Sequence, residues 1–253
     1  MKKSIIIFWT VLTTCSLMAF GYFNINNPQP ELMAEEVNQA DVDFVYAIEP
    51  RFINRITKSD LRKATTIAEI LPKRATERIA LYFSTGVVLL DKNGKPEKQV
   101  DNISPNLNQE QLDLIQEINY SDNILIRADF KEKNLHTDIL TSNYLTYYMT
   151  VLPEKSASYP GGNDALMTYV KKSSPVDHAV IDQNQLQPGK VYFTITKKGE
   201  IVNTTLNTTS GYDSIDQQMI DIVNSFPIWD PARDVNGLPV EQKLVFFFGK
   251  MGC

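Results

Sequence analysis

The stretch best equipped for chemistry is Gln242-Lys243-Leu244-Val245-Phe246-Phe247-Phe248, and the chemistry is that of its backbone. Rich in apolar residues and preceded by the turn pair Asn236-Gly237, it reads as a closing β-strand. At the edge of a small sheet its N–H and C=O groups can pair with an extended peptide, which is β-augmentation. The competing reading makes Phe246, Phe247 and Phe248 core, with the edge covered by the same protein or by a second copy. Enzymatic chemistry lacks its parts. The chain has no Gly-x-Ser-x-Gly elbow and no His-Glu-x-x-His, and Gly161-Gly162 precedes a helix without a phosphate-cradling motif. Asp129 with Glu132, and Asp213 with Asp216, read as turn and cap residues rather than acid–base pairs. His136 and His178 stand far apart without partners at metal-ligand spacing, so no metal and no cofactor is expected. A net charge of -5 argues against general nucleic-acid binding, which normally shows a basic stripe.

The elements that must position that strand lie just before it. Lys190 to Thr196 alternates Val191, Phe193 and Ile195 with Tyr192, Thr194 and Thr196, the period of a strand. Lys198-Gly199 turns the chain into a return strand over Glu200 to Asn207. A helix follows, with Ser214 as N-cap and Gln217 completing a capping box. Ile215, Met219, Ile222, Val223 and Phe226 form its apolar face, and Pro227 ends it. Trp229, between Pro227 and Pro231, reads as a core or lid residue at the helix exit. The order is strand, strand, helix, strand, so the fold class is α+β.

Residues 42–152 read as a separate α+β module. A helix is predicted from Ser59 to Leu71, capped by Ser59, burying Leu61, Ala64, Ala68 and Leu71, and ended by Pro72. Strand character runs from Glu77 to Leu90, with a turn at Asp91-Lys92-Asn93-Gly94. A second helix begins at Asn108 with Gln111 in a capping box and buries Leu112, Ile115 and Ile118. Strands are predicted at Asn123 to Phe130 and Tyr144 to Leu152.

At the N-terminus, Met1-Lys2-Lys3 precedes an uncharged run from Ser4 to Phe23, long enough to cross a bilayer core of about 30 Å as a helix. The lysines place the start in the cytoplasm. Residues 1–23 are thus expected to be a transmembrane anchor in the inner membrane, with the bulk of the chain in the periplasm. Ala19-Phe20-Gly21 offers a competing signal-peptide cleavage site, and Leu12-Thr13-Thr14-Cys15 a fainter lipoprotein-type one. Residues 24–41 form a polar linker of about 60 Å reach when extended. Cys15 and Cys253 are not expected to form a structural disulfide.

The C-terminal block resembles the C-terminal domain of TonB-type energy transducers. The resemblance rests on Gly189 to Ile195 before Gly199, Ser210-Gly211-Tyr212 before the helix, Phe226-Pro227-Ile228-Trp229-Asp230-Pro231-Ala232, and Asn236-Gly237-Leu238-Pro239-Val240. Tyr159-Pro160-Gly161-Gly162 before a short helix is similar to the family's lead-in. It implies that residues 153–253 form a small antiparallel sheet packed by a helix. It also implies that Gln242, Lys243, Leu244, Val245, Phe246, Phe247 and Phe248 pair with an exposed segment of an outer-membrane TonB-dependent transporter, transducing energy from inner-membrane proton-driven motor proteins for active transport. Two features differ from the family: Ser16 is followed four residues later by Phe20 where the family has histidine, and no long proline- and lysine-rich spacer is present. The 42–152 module resembles the C-terminal domain of the gliding-motility and secretion protein GldM. The carrying residues are Ile56-Thr57-Lys58-Ser59-Asp60-Leu61, Tyr120-Ser121-Asp122-Asn123-Ile124-Leu125-Ile126 and Tyr147-Tyr148-Met149-Thr150-Val151. That second resemblance implies the alternative, a structural or scaffolding subunit of a cell-envelope secretion or gliding assembly. A homodimer is compatible with either.

Overall fold

Two sheets divide the chain's apolar residues between them, and the fold is mixed α+β. The structure is a computed structural model that describes residues 44–134, 137–174, 181–182 and 184–250. The expected anchor 1–23, the whole of the linker 24–41, residues 42–43 and both histidines lie outside those residues. Among the described residues no helix is long and apolar enough to cross a membrane.

The first sheet has the strand order β2-β6-β5-β3-β4, built from β2 (Arg55–Thr57), β3 (Ile79–Leu90), β4 (Pro96–Asn102), β5 (Asn123–Lys133) and β6 (Leu140–Leu152). Ile124, Ile126, Met149, Val151 and Val87 project from one face. They meet Leu61, Ile67 and Ile70 and the helix α4 (Gln109–Glu117), which supplies Leu114 and Ile115. The α4 cap is as expected: Asn108 Oδ1 accepts from Gln111 N at 2.8 Å and Gln111 Oε1 accepts from Asn108 N at 3.2 Å. Its buried face includes Ile118 but uses Leu114, whereas Leu112 is only half-buried.

The helix predicted from Ser59 to Leu71 is instead three short turns, α1 (Lys58–Lys63), α2 (Ile67–Ile70) and α3 (Lys73–Thr76). Local side-chain bonds break it. Thr57, not Ser59, caps α1. Thr66 caps α2 in a box with Glu69, whose carboxylate also takes the Thr65 N–H at 2.7 Å. Such side-chain-to-backbone bonds compete with helix continuation. The interrupted backbone then pairs with residues 105–107 through Ile67 N to Pro105 O and Leu107 N to Thr65 O, both 2.9 Å. Ala68 consequently points to solvent, and Ile67 and Ile70 fill the core in its place.

The second sheet has the order β1-β11-β7-β8, with β1 (Phe44–Glu49), β7 (Pro188–Ile195), β8 (Ile201–Thr208) and β11 (Gln242–Lys250), all neighbours antiparallel, while β9 (Ala232–Arg233) and β10 (Pro239–Val240) pair as a separate two-stranded ribbon. Two helices pack on one face, α5 (Gly162–Ser173) and α6 (Asp213–Asn224). Val191, Phe193 and Ile195 alternate into this core as the sequence predicts, and Ile215, Met219, Ile222, Val223 and Phe226 meet them. Met219 and Val223 are fully enclosed, each contributing roughly 1.5–3 kcal/mol of burial. The expected capping box is not formed, because α6 starts two residues earlier, with Tyr212 rather than Ser214 at the cap position. Asp216 turns back to accept from Ser210 N at 2.9 Å, and Gln217 bonds Asp221 instead.

Residues 44–49 were placed by sequence in the 42–152 module, yet they form the outer strand of the second sheet. The connector after β6 also belongs there: Lys155 and Ser158 bridge to Arg233 and Asp230.

Candidate functional site

The strand proposed to dock a peptide is not at an edge. On one side β11 pairs with β7 from Gln242↔Ile195 to Gly249↔Pro188, and on the other with β1 from Val245↔Glu49 to Lys250↔Phe44. Beyond the end of β1, Ser121 of the first sheet's loop accepts the Lys243 N–H at 2.9 Å. Gln242 is buried, its Oε1 accepting from Ala157 N at 2.7 Å.

The side chains tell the same story. Leu244, Phe246 and Phe248 fill the helix-covered core, and Val245 is buried on the opposite face. Phe247 is half-buried under the Lys190 ammonium, 5.7 Å from its ring centre. Gly189 opposite Phe248 has to lack a side chain, since a Cβ there would lie 2.4 Å from the phenyl ring. Of the expected site residues Gln242, Lys243, Leu244, Val245, Phe246, Phe247 and Phe248, only the Lys243 side chain is exposed. From Val245 onward both sides of the strand are paired within the chain, and before it the Lys243 N–H is held by Ser121, so the reading with core phenylalanines and an edge covered by the same protein is the correct one. A signal for the covering strand was present: Phe44-Val45-Tyr46-Ala47-Ile48 before Pro50 is rich in β-branched and aromatic residues.

Among the described residues the edges of this sheet are therefore β1 and β8. They differ in regularity. On β8, Asn203 takes a left-handed conformation (φ 56°) and the register with β7 shifts twice, which breaks up the row of donors and acceptors. Along β1 the register with β11 is unbroken. Tyr46 stacks near Phe246, and its hydroxyl donates to Ser174 Oγ at 2.9 Å; burial pushes its pKa up, partly offset by that bond. Among the described residues β1 pairs with no strand other than β11. No family model, curated protein or solved structure matches the chain.

The sheet's other face borders a cleft of about 620 Å³ against the first sheet's loops, lined by Tyr192, Thr194, Lys243, Arg51 and Asp122 among others. Arg51 is tied to the Asp91 and Lys92 carbonyls at 3.3 and 2.8 Å. Burial raises the Tyr192 pKa, with the nearby Arg51 charge opposing it. Among the described residues no three His, Cys, Asp or Glu side chains gather as a metal site. Trp229 is a core residue, set edge-on to Tyr159 at 5.6 Å and packed on Phe226.

Proposed function

We propose that this protein is a membrane-anchored periplasmic protein of the TonB type that holds an extended segment of an outer-membrane transporter by strand addition, transmitting energy for active transport. The observation that supports it most is the strand, strand, helix, strand order within one sheet, helices on one face and an unpaired, regular strand at its border. The docking strand is moved from β11 to the outer side of β1, where main-chain groups of Phe44–Glu49 face away from β11. Inner-membrane anchoring through residues 1–23 and coupling to proton-driven motor proteins belong to the same reading. Photocrosslinking in living cells from Val45 and Ala47, with Asn203 on the β8 edge as control, tests it. Adducts with an outer-membrane transporter from β1 alone are expected. Their absence from both β1 positions would sink the docking step.

A second reading, a scaffolding subunit of an envelope secretion or gliding assembly, is favoured by the first sheet, which has its own core and a long strand without a partner among the described residues along most of one side. Replacing residues 50–152 by a neutral spacer of matched reach separates the two. Transporter-dependent uptake survives under the transducer reading and assembly is lost under the scaffold reading.

A further inference from the structure

The strand β6 is 13 residues long, and among the described residues only its last part has a neighbour on the outer side: β2 pairs with Thr150, Val151 and Leu152. From Leu140 to Met149 the opposite side is fully occupied by β5, in a register without a shift. The direction of the bare groups can be worked out. Thr150 N–H donates outward to Asn54 O at 3.0 Å, and the Asn54 amide donates to Tyr148 O at 3.1 Å. Because backbone groups alternate sides along a strand, Ser142, Tyr144 and Thr146 also present their N–H and C=O outward. At Tyr144 the N–H is held by the adjacent Asn143 side chain at 2.9 Å, a bond local enough to be exchanged for a strand partner.

Edges of natural sheets are protected by charge, proline, bulges or shortness. The opposite border, β4, has such protection in Pro96, Glu97, Lys98 and Asp101. On β6, Leu-Thr-Ser-Asn-Tyr-Leu-Thr-Tyr-Tyr-Met-Thr-Val-Leu has none: no charge, no proline, no glycine. Its side chains are open to solvent, with Tyr144 71%, Leu140 45% and Tyr148 42% exposed.

The geometry points to a second copy of this chain as the occupant, β6 against β6 in antiparallel pairing about a two-fold axis at Tyr144. The bare stretch is itself symmetric about that residue, since Tyr144 is midway between Leu140, where the strand starts, and Tyr148, where Asn54 closes the edge. The axis sets Tyr144 against Tyr144, Ser142 against Thr146, and Leu140 against Tyr148 of the second copy. Tyr144 with its counterpart, and Ser142 with Thr146, thus exchange both backbone bonds. Two exposed apolar side chains, Leu140 and Tyr148, cover each other. An uncharged strand meets its own copy without the like-charge repulsion that destabilises directly opposed pairs. The union joins two five-stranded sheets edge to edge, independently of the C-terminal sheet.

Cysteine crosslinking in cells making the full chain, with Cys15→Ser and Cys253→Ser, tests this pairing. Hydrogen-bonded antiparallel partners lie about 5.5 Å apart at Cα, within disulfide range. Tyr144→Cys, on the axis, is expected to give a covalent dimer upon oxidation. Thr141→Cys, opposite Tyr147 and roughly 20 Å from its own copy, is expected to give none. Thr146→Pro added to Tyr144→Cys removes an outward donor without touching the β5 ladder, so the dimer should fall at least several-fold while the monomer persists. The proposal is overturned by the absence of a Tyr144→Cys dimer, by equal crosslinking from Thr141→Cys, by a dimer that survives Thr146→Pro, or by an adduct to a different protein in the dimer's place.

Discussion

Gly199 provides the sharpest test of how the second sheet is held to its core. It has φ +83°, and a Cβ built there would lie 1.9 Å from the Trp229 carbonyl oxygen, a backbone atom that cannot swing aside. Trp229 N–H in turn donates to Gly199 O at 2.9 Å. Gly199→Ala therefore incurs the left-handed penalty of about 1–2 kcal/mol. It also forces apart a buried backbone contact, costing a further 1–3 kcal/mol or so. The sum is on the order of 3–4 kcal/mol. Gly237 supplies the control, for it has φ +76° with nothing within 4 Å of an added Cβ. Gly237→Ala bears only the conformational penalty, partly offset by the reduced freedom of the unfolded chain, about 1 kcal/mol or less. Within residues 42–253, which form one compact unit, Trp229 is the single tryptophan, so urea unfolding followed by its fluorescence reads both variants. With a urea slope of about 2 kcal/mol per molar, the midpoint should fall by roughly 1.5–2 M for Gly199→Ala and by about 0.5 M or less for Gly237→Ala. Equal losses would refute the clash and the role given to the Gly199–Trp229 contact.

Removing residues 1–49 takes away the strand that covers β11. Amide exchange should then accelerate at Val245 to Lys250 and remain slow in β5 and β6; unchanged protection of β11 would contradict its central position. Asn108→Ala removes the acceptor of a reciprocal cap and should cost about 1 kcal/mol, read as a lower thermal midpoint; a neutral result would mean α4 is held by packing alone. Asp91 and Asp230 have pKa values held below the usual carboxylate range, Asp91 chiefly by the Lys95 N–H and Asp230 chiefly by the Lys155 ammonium. Their folded pKa is lower than the unfolded one, so their stabilisation is present above the unfolded value and disappears as pH falls through the folded value. The Asp91→Asn, Asp230→Asn double variant should thus lose less stability on acidification than the parent, measured as urea midpoint against pH; parallel profiles would dismiss both carboxylates as contributors.

The local features of the chain were legible because they depend on near neighbours. The alternation of Val191, Phe193 and Ile195 sets one face of β7, the spacing of Ile215, Met219, Ile222 and Val223 sets one stripe of α6, and Asn108 with Gln111 makes the α4 cap within one turn. The Ser59 to Leu71 helix was misread because its apolar period is real, while Thr66 and Glu69 offer the backbone a better local bond and Pro105 and Leu107 offer a distant one. A strand's period shows which side chains face a core. It carries no information about which strand lies beside it, since main-chain groups are the same at every residue. Hence the sequence by itself determined that Gln242–Phe248 is a closing strand rich in apolar residues. Only the tertiary structure decided that Phe44–Glu49, nearly the whole described chain away, takes its second side, and that among the described residues β1 and β6 instead have main chain without a strand partner.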